Sequence, residues 1–242
     1  MRAGSLFSGV GGLDLGLERA GMEIVWQVEI DEFCGQVLAK HWPDVTRYED
    51  VREVGYSAVE PVEVLCGGFP CQPVSFAGKG LAQADERWLW PEFARAVHAL
   101  RPRYALMENV PGLLARGLGD VLGGLVTLGY DAEWDCLPAA TFGAPQRRDR
   151  VFLVAYPDVD GPGRRPQRDV FPPARLEPPP RHHVDGLDLA ERGTWSALPD
   201  VLRVDYGIPG TLDRLGALGN AVVPQVAEWI GRRIMASTEA ER

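Results

Sequence analysis

The first two-thirds of the chain alternates short apolar runs with amphipathic segments, and this alternation constrains the fold more than any other feature. Leu6-Phe7 ends a short strand, Gly11 to Ala20 reads as a helix with Leu13, Leu17 and Ala20 on one face, and Glu23–Glu29 reads as a second strand. Asp31 is placed to cap a helix running to about His41, because a carboxylate there accepts from free N–H groups of the first turn. Val62–Cys66 is a third strand, Trp88–Leu100 a helix stopped near Pro102, and Tyr104–Glu108 another strand. Leu113–Leu128 reads as a helix closed by Gly129, followed by strands over Tyr130–Leu137 and Arg150–Ala155. Strands separated by helices run mostly parallel, with helices on both faces of the sheet. In such a sheet ligands bind at the carboxyl ends of the strands, and the chain's unusual residues fall there.

The alternation stops at Pro157. Residues 157–180 hold eight prolines and almost no periodicity, which marks a linker or a small irregular lobe. Helical spacing returns from Val222 to Met235, carried by Val222, Val226, Trp229, Ile230 and Arg233. The expected organisation is a main α/β domain over 1–156, a separate short region over 157–214, and a C-terminal helix within 215–242 that completes the main domain.

No apolar run approaches the ~20 residues of a membrane span, and glycines interrupt the N-terminus before any signal-peptide core. An intracellular, soluble protein is therefore expected, with Cys34, Cys66, Cys71 and Cys136 as free thiols. No Cys-x-x-Cys pair or His/Cys cluster suggests a metal; His182 and His183 stand side by side in the Pro/Arg-rich region and are a weak exception. The net charge of −9 argues against a general nucleic-acid binder. The charge is uneven, however: residues 1–66 carry twelve acids and five bases, while 147–181 carry eight arginines and five acids. A localised phosphate-contacting face is compatible with that asymmetry, as is plain solvated surface.

Phe7-Ser8-Gly9-Val10-Gly11-Gly12 follows the first strand and opens a helix. Glycines there allow a tight turn and close approach of a ligand, and a helix N-terminus offers free N–H groups. The spacing is neither a dinucleotide fingerprint nor a P-loop, and a simple tight turn fits it equally. Glu29 ends the second strand, where an acid can accept from ribose hydroxyls, and Asp50 lies at the next turn, where an acid can take an adenine amino group. Together they favour a nucleoside-containing cofactor over isolated caps.

Cys66-Gly67-Gly68-Phe69-Pro70-Cys71-Gln72-Pro73 is the most informative stretch. Its prolines exclude regular helix or central strand, so Cys71 sits on a constrained loop past a strand end, poised as a nucleophile; Cys66 reads as packing. The loop Phe76-Ala77-Gly78-Lys79-Gly80 fits a lid or a flexible surface loop. Glu108-Asn109-Val110 places an acid at a buried strand end, which needs a partner or a proton. In Gln146-Arg147-Arg148-Asp149-Arg150, an extended segment would put Arg148 and Arg150 on one side.

Taken in order, these pieces resemble the DNA (cytosine-5)-methyltransferase family of bacteria and phages, over roughly residues 2–156 and 215–235. The FSGVGG turn, Glu29, Asp50-Val51, the GGFPCQPVSFAGK loop, ENV, QRRDR and the late LGNAVVP all recur in the family's order. The resemblance implies a Rossmann-like S-adenosylmethionine-dependent methyltransferase sheet with a small, irregular target-recognition lobe. It implies that Cys71 adds to C6 of a flipped cytosine, that Glu108 holds the base at N3 and the exocyclic amine, and that Arg148 and Arg150 support the catalytic loop and the cytosine O2. It further implies a cofactor site lined by Phe7, Gly9, Gly11, Glu29, Ile30, Asp50, Val51 and Leu89, closed by Asn220 and Ala221. Double-stranded DNA is the implied partner, with Ser75 and Lys79 on the closing loop and Arg164, Arg165 and Arg168 on phosphates. The setting it implies is the cytoplasm of a bacterial or phage-infected cell, in restriction-modification, with a monomer that needs no metal and no membrane.

The region 157–214 is short for the family's target-recognition lobe, and Thr194-Trp195-Ser196 with Arg203 to Pro209 is a candidate reduced replacement for its supporting motif. Three other readings remain, of which a small-molecule methyltransferase is disfavoured because ordinary oxygen or nitrogen acceptors need no thiol such as Cys71. A tRNA cytosine-5 methyltransferase would share the thiol chemistry, but its usual Cys-Phe-Thr signature is absent. A non-catalytic DNA-binding relative would not need Cys71, Glu108 and Arg148 together.

Overall fold

The computed structural model describes residues 1–70, 88–144, 146–158, 170–171 and 221–240. Seven strands form one sheet: β1 (Arg2–Leu6), β2 (Glu23–Val28), β3 (Thr46–Tyr48), β4 (Val64–Gly67), β5 (Tyr104–Asn109), β6 (Tyr130–Pro138) and β7 (Asp149–Pro157). Their order is β3-β2-β1-β4-β5-β7-β6. The pairs from β3 through β5 are parallel, and β7 runs antiparallel between β5 and β6. The order reverses between β1 and β4, and a crevice forms where connections leave neighbouring strands in opposite directions.

Helices α1 (Gly12–Arg19), α2 (Glu32–His41), α3 (Trp90–Leu100), α4 (Leu113–Arg116), α5 (Leu118–Thr127) and α6 (Pro224–Ala240) cover the sheet. One face buries Leu6, Trp26, Leu65, Phe69, Phe93 and Leu125 beneath α3 and α5. The other buries Leu17, Ile24, Val64, Leu106, Phe152 and Ile230 beneath α1 and α6. Along β4, β5 and β7 apolar side chains thus alternate between the two cores, as a sheet covered on both faces requires.

Most elements lie where the sequence places them, and the differences have local causes. Asp31 caps α2, its carboxylate accepting from the Cys34 N–H at 2.8 Å. The single helix expected over 113–128 is two, because Gly117 adopts an extended φ of −158° between them. A side chain at Gly117 would press on the Trp88 ring, 2.7 Å away. Strand β3 and the 3-10 turn Ala139–Phe142 carry too few residues to show a period.

The C-terminal helix is locked into the sheet's first crossover. Side chains built on Gly12 and Gly16 of α1 would collide with the Val222 carbonyl and with Ala227, and one on Gly231 would reach within 2.8 Å of Ala20. Within the stretch 157–214 that the sequence sets apart, Val170 and Phe171 are described and pack on this same core. The Glu133 carboxylate accepts from both of their N–H groups, at 3.1 and 3.0 Å.

Close packing at Gly16 predicts an inverted substitution rule. Gly16→Ala should destabilise by about 1–3 kcal/mol through overpacking, although alanine is the better helix former. Gly35→Ala in α2, where an added methyl meets nothing within 4 Å, should stabilise by up to ~1 kcal/mol. Thermal or urea denaturation of the two variants checks the opposite signs.

Candidate active site

Four strands, β1, β2, β4 and β5, deliver their ends to one place. After β1 the chain turns through Phe7, Gly9 and Gly11, at φ of 52°, 56° and 82°. A left-handed conformation suits glycine and is unusual for phenylalanine. The Ser8 N–H donates to the Val28 carbonyl at 3.1 Å and the Gly11 N–H to Ser8 at 2.9 Å. Glu29, just past β2, accepts from the Gly9 N–H at 2.6 Å through one oxygen and from the Asp31 N–H at 2.8 Å through the other. Burial pushes its carboxyl above the ordinary range against those two bonds. Among the described residues, a methyl group on Gly9 would meet nothing within 4 Å, which leaves room for a ligand beside the turn.

Beneath the turn lies a buried polar network. Asp14 of α1 accepts from Gln27 at 2.8 Å and from Ser5 at 3.0 Å, and Ser8 donates to the Ser5 hydroxyl at 2.9 Å. Burial raises the Asp14 pKa to about 6. Of the expected cofactor contacts, Phe7, Val51 and Leu89 pack on one core, while Ile30 is 67% exposed beside Glu29. Asp50 is held by Arg52, Nη2 to Oδ2 at 2.6 Å, which keeps its carboxyl below the usual range.

At the other side of the crevice, β4 ends in Gly67-Gly68 and β5 in Glu108-Asn109. A side chain on Gly67 would collide with the Leu6 carbonyl, and one on Gly68 would lie 2.8 Å from Glu108 Oε2. The two glycines therefore let the loop entering Pro70 pass against β1 and over the acid. Asn109 donates from Nδ2 to the Phe69 carbonyl at 3.1 Å, tying that loop down just before Cys71. Cys71 itself, with Ser75, Lys79, Arg164, Arg165, Arg168 and Asn220, lies outside the described residues.

Glu108 is buried, and its Oε1 pairs with Arg150 Nε at 2.9 Å. Burial lifts its pKa to about 7, against the pull of Arg150 and Arg148. Arg148 does not lie on an extended segment as the sequence suggested: it has φ of 35° and precedes β7. Both arginines nevertheless act on the Glu108 charge, and Arg148 donates from Nη2 to the Ala221 carbonyl at 2.7 Å. Burial pushes the Cys34 thiol up to about 12 and raises Cys66 and Cys136 as well. None of these three is a ready thiolate.

Residues 1–167 match the model of the family described as C-5 cytosine-specific DNA methylase. The chain belongs to this family. Among methylases it is 42% identical over 158 residues to the Type II methyltransferase M.Eco47II of Escherichia coli, covering 62% of this chain and 38% of that one. It is 31% identical over 219 residues to M.BsuFI of Bacillus subtilis, covering 86% of this chain and 52% of the relative. The chain thus spans about half the length, or less, of these curated relatives. In structure it resembles a DNA modification methyltransferase encoded within an E. coli prophage, with 30% identity, a TM-score of 0.55, and coverage of 65% and 47%. A Spodoptera frugiperda DNMT2 structure shares the fold at 23% identity and a TM-score of 0.56, covering 68% of this chain and 52% of that one. The sheet is accordingly the Rossmann-like sheet of S-adenosylmethionine-dependent C5 methyltransferases. Among the described residues, no helix is long and apolar enough to cross a membrane.

Three contributors to the geometry carried no role in the sequence reading. Asp14 had a signal, an acid beside Leu13 on an otherwise apolar helix face. Gly68 and Asn109 lay inside recognised motifs, but their work is contact across strands, which spacing does not reveal.

The raised Glu108 pKa fixes a sign. The folded protein holds this proton more tightly than the unfolded chain, so Glu108 makes stability fall as pH rises from about 4.5 toward 7. Glu108→Gln should flatten that part of the profile, read by urea denaturation across pH 4.5 to 8. Arg150→Met should move the Glu108 midpoint up by about one unit or more, read by carbon-13 NMR of labelled glutamate.

Proposed function

We propose that this chain transfers a methyl group from S-adenosylmethionine to C5 of a flipped cytosine in DNA, through a covalent Cys71 adduct. The observation that carries the proposal is the placement of Glu108. It is buried and paired with Arg150, and it lies under the glycine pair that leads directly into Pro70-Cys71.

The chemistry demands that arrangement. C5 of cytosine is a poor nucleophile until a soft thiolate adds at C6. Protonation at N3 makes that addition easier; the activated C5 would take the methyl, and loss of the C5 proton with expulsion of the Cys71 thiolate would then release 5-methylcytosine. A carboxyl with a pKa near 7 is protonated often enough at neutral pH to donate to N3 while accepting from the exocyclic amine. Arg150 would hold Glu108 in place and, with Arg148, reach the cytosine O2. A base inside a stacked duplex is out of reach, so the target must be extruded, at a cost of a few kcal/mol.

The cofactor fits the other half of the crevice. S-adenosylmethionine would supply an electrophilic sulfonium methyl. The room beside Gly9, the N-terminus of α1 and the ends of β1 and β2 suit a ligand bearing a carboxylate and a ribose. Glu29 keeps lone pairs for ribose hydroxyls beyond its two backbone bonds. Phe7, Ile30, Val51 and Leu89 would enclose the adenosine, Asp50 would take its amino group, and Asn220 and Ala221 would close the site. Residues 1–156 with 215–242 would form the catalytic domain, and 157–214 a reduced recognition region. There Arg164, Arg165 and Arg168 would contact phosphates, while Ser75 and Lys79 would close over the flipped base. The reaction belongs in the cytoplasm of a bacterial or phage-infected cell, where duplex DNA is accessible.

The deciding measurement is methyl transfer from labelled S-adenosylmethionine to duplex DNA. Wild type should yield 5-methylcytosine and Cys71→Ser none, with cofactor binding retained. Incorporation into tRNA alone would sink the DNA reading, and equal incorporation by the mutant would sink the thiol mechanism.

A further inference from the structure

Arg95, on α3, reaches across to the loop that carries Asp50 and Val51, two of the residues proposed to line the cofactor site. Its Nη2 donates to the Val51 carbonyl at 2.6 Å and its Nη1 to the Val54 carbonyl at 3.0 Å. Its Nε is held by Glu92 at 2.7 Å, one turn earlier on the helix. The guanidinium carbon stands 4.7 Å from the centre of the Tyr56 ring. Donors and one face of the fork are therefore engaged, and two of the acceptors belong to the loop that carries Asp50.

Val51, Val54 and Tyr56 of that loop pack on the core, but its own polar bonds are local. The Asp50–Arg52 pair, the Arg52 N–H to Asp50 Oδ1 bond at 2.9 Å and the Glu53 N–H to Asp50 carbonyl bond at 3.0 Å all close the turn on itself. Arg95 connects it to a different element. The same helix starts at Leu89, whose carbonyl accepts from the Glu92 and Phe93 N–H groups at 3.2 Å. A continuous chain runs from Leu89 through Glu92 and Arg95 to Val51. It links Leu89 to Val51, both proposed to line the cofactor site, through a planar fork that lysine cannot reproduce.

We infer that Arg95 is a positioning residue for S-adenosylmethionine, setting the Asp50–Val51 turn at a fixed distance from Leu89; this rests on the methyltransferase reading above. Arg95 touches no ligand in this role. Its effect is on how well the adenosine end is gripped, because a displaced turn moves both the Asp50 carboxylate and the Val51 wall together.

The test is calorimetric titration of the full chain with S-adenosylmethionine. Arg95→Ala should weaken binding about tenfold, the scale of losing hydrogen bonds from a charged group, and Arg95→Lys should recover part of the loss. The double variant with Asp50→Ala should bind no more weakly than the poorer single variant, because both act through one turn. Unchanged affinity in folded Arg95→Ala, or losses that simply multiply in the double variant, would overturn the inference. Should Arg95→Ala not fold, Arg95→Lys decides alone: a loss of about threefold is expected, and wild-type affinity would overturn it. Wild type that binds no S-adenosylmethionine would instead refute the methyltransferase reading, and the inference with it.

Discussion

A carboxylate cannot sit at a buried strand end unless something meets it; here Arg150 pairs with Glu108 but offsets its burial only in part, leaving the carboxyl at about 7. Removing two charges from water costs several kcal/mol per ion in real proteins, so partners must arrive with good geometry. The antiparallel course of β7 makes this possible. It brings the arginine-bearing start of β7 beside the acid-bearing end of β5, with Glu108 opposite Phe152 and Asn109 opposite Val151. A seventh parallel strand would present its carboxyl end there instead, and Arg150 would lie at the far pole of the sheet.

The pair also sets the terms for its neighbours. Gly68 must lack a side chain because Glu108 Oε2 occupies the space. Asn109 is then free to turn to the Phe69 carbonyl, so one dipeptide provides both an acid and the tether for the loop entering Cys71. On the far side, Arg148 spends a donor on the Ala221 carbonyl, which couples the arginine segment to the chain's C-terminal return. The same return packs on α1 at Gly12 and Gly16. Cofactor turn, acid and arginines are thereby joined through backbone contacts that leave little freedom for independent movement.

Polar groups in the crevice are committed before any ligand arrives. Glu29 holds the Gly9 and Asp31 N–H groups, Asp50 holds Arg52, and Asp14 anchors Ser5 and Gln27. Such commitment reduces the reorganisation needed on binding. It also explains why single acids in the sequence look like caps or solvated charges: each does serve as a local hydrogen-bond acceptor, and any second role depends on lone pairs left over.

The sequence by itself determined the alternation of strands and helices, the Asp31 cap, the glycine turn, and the identity of Cys71, Glu108 and the arginine pair as chemically unusual residues. Those follow from local physics: apolar period, φ preferences, and the cost of prolines and charges in regular structure. It did not determine the break at Gly117, the strand over Thr46–Tyr48, the reversal of β7, the positive φ of Arg148, or the reach of Arg95 to Val51. Each of these depends on which distant segments share a face. A glycine that makes room for a carboxylate forty residues on, or an arginine that bonds carbonyls on another element, leaves no periodic trace along the chain. Only the packed structure decided them, because the contacts exist only once the two cores have closed on the sheet.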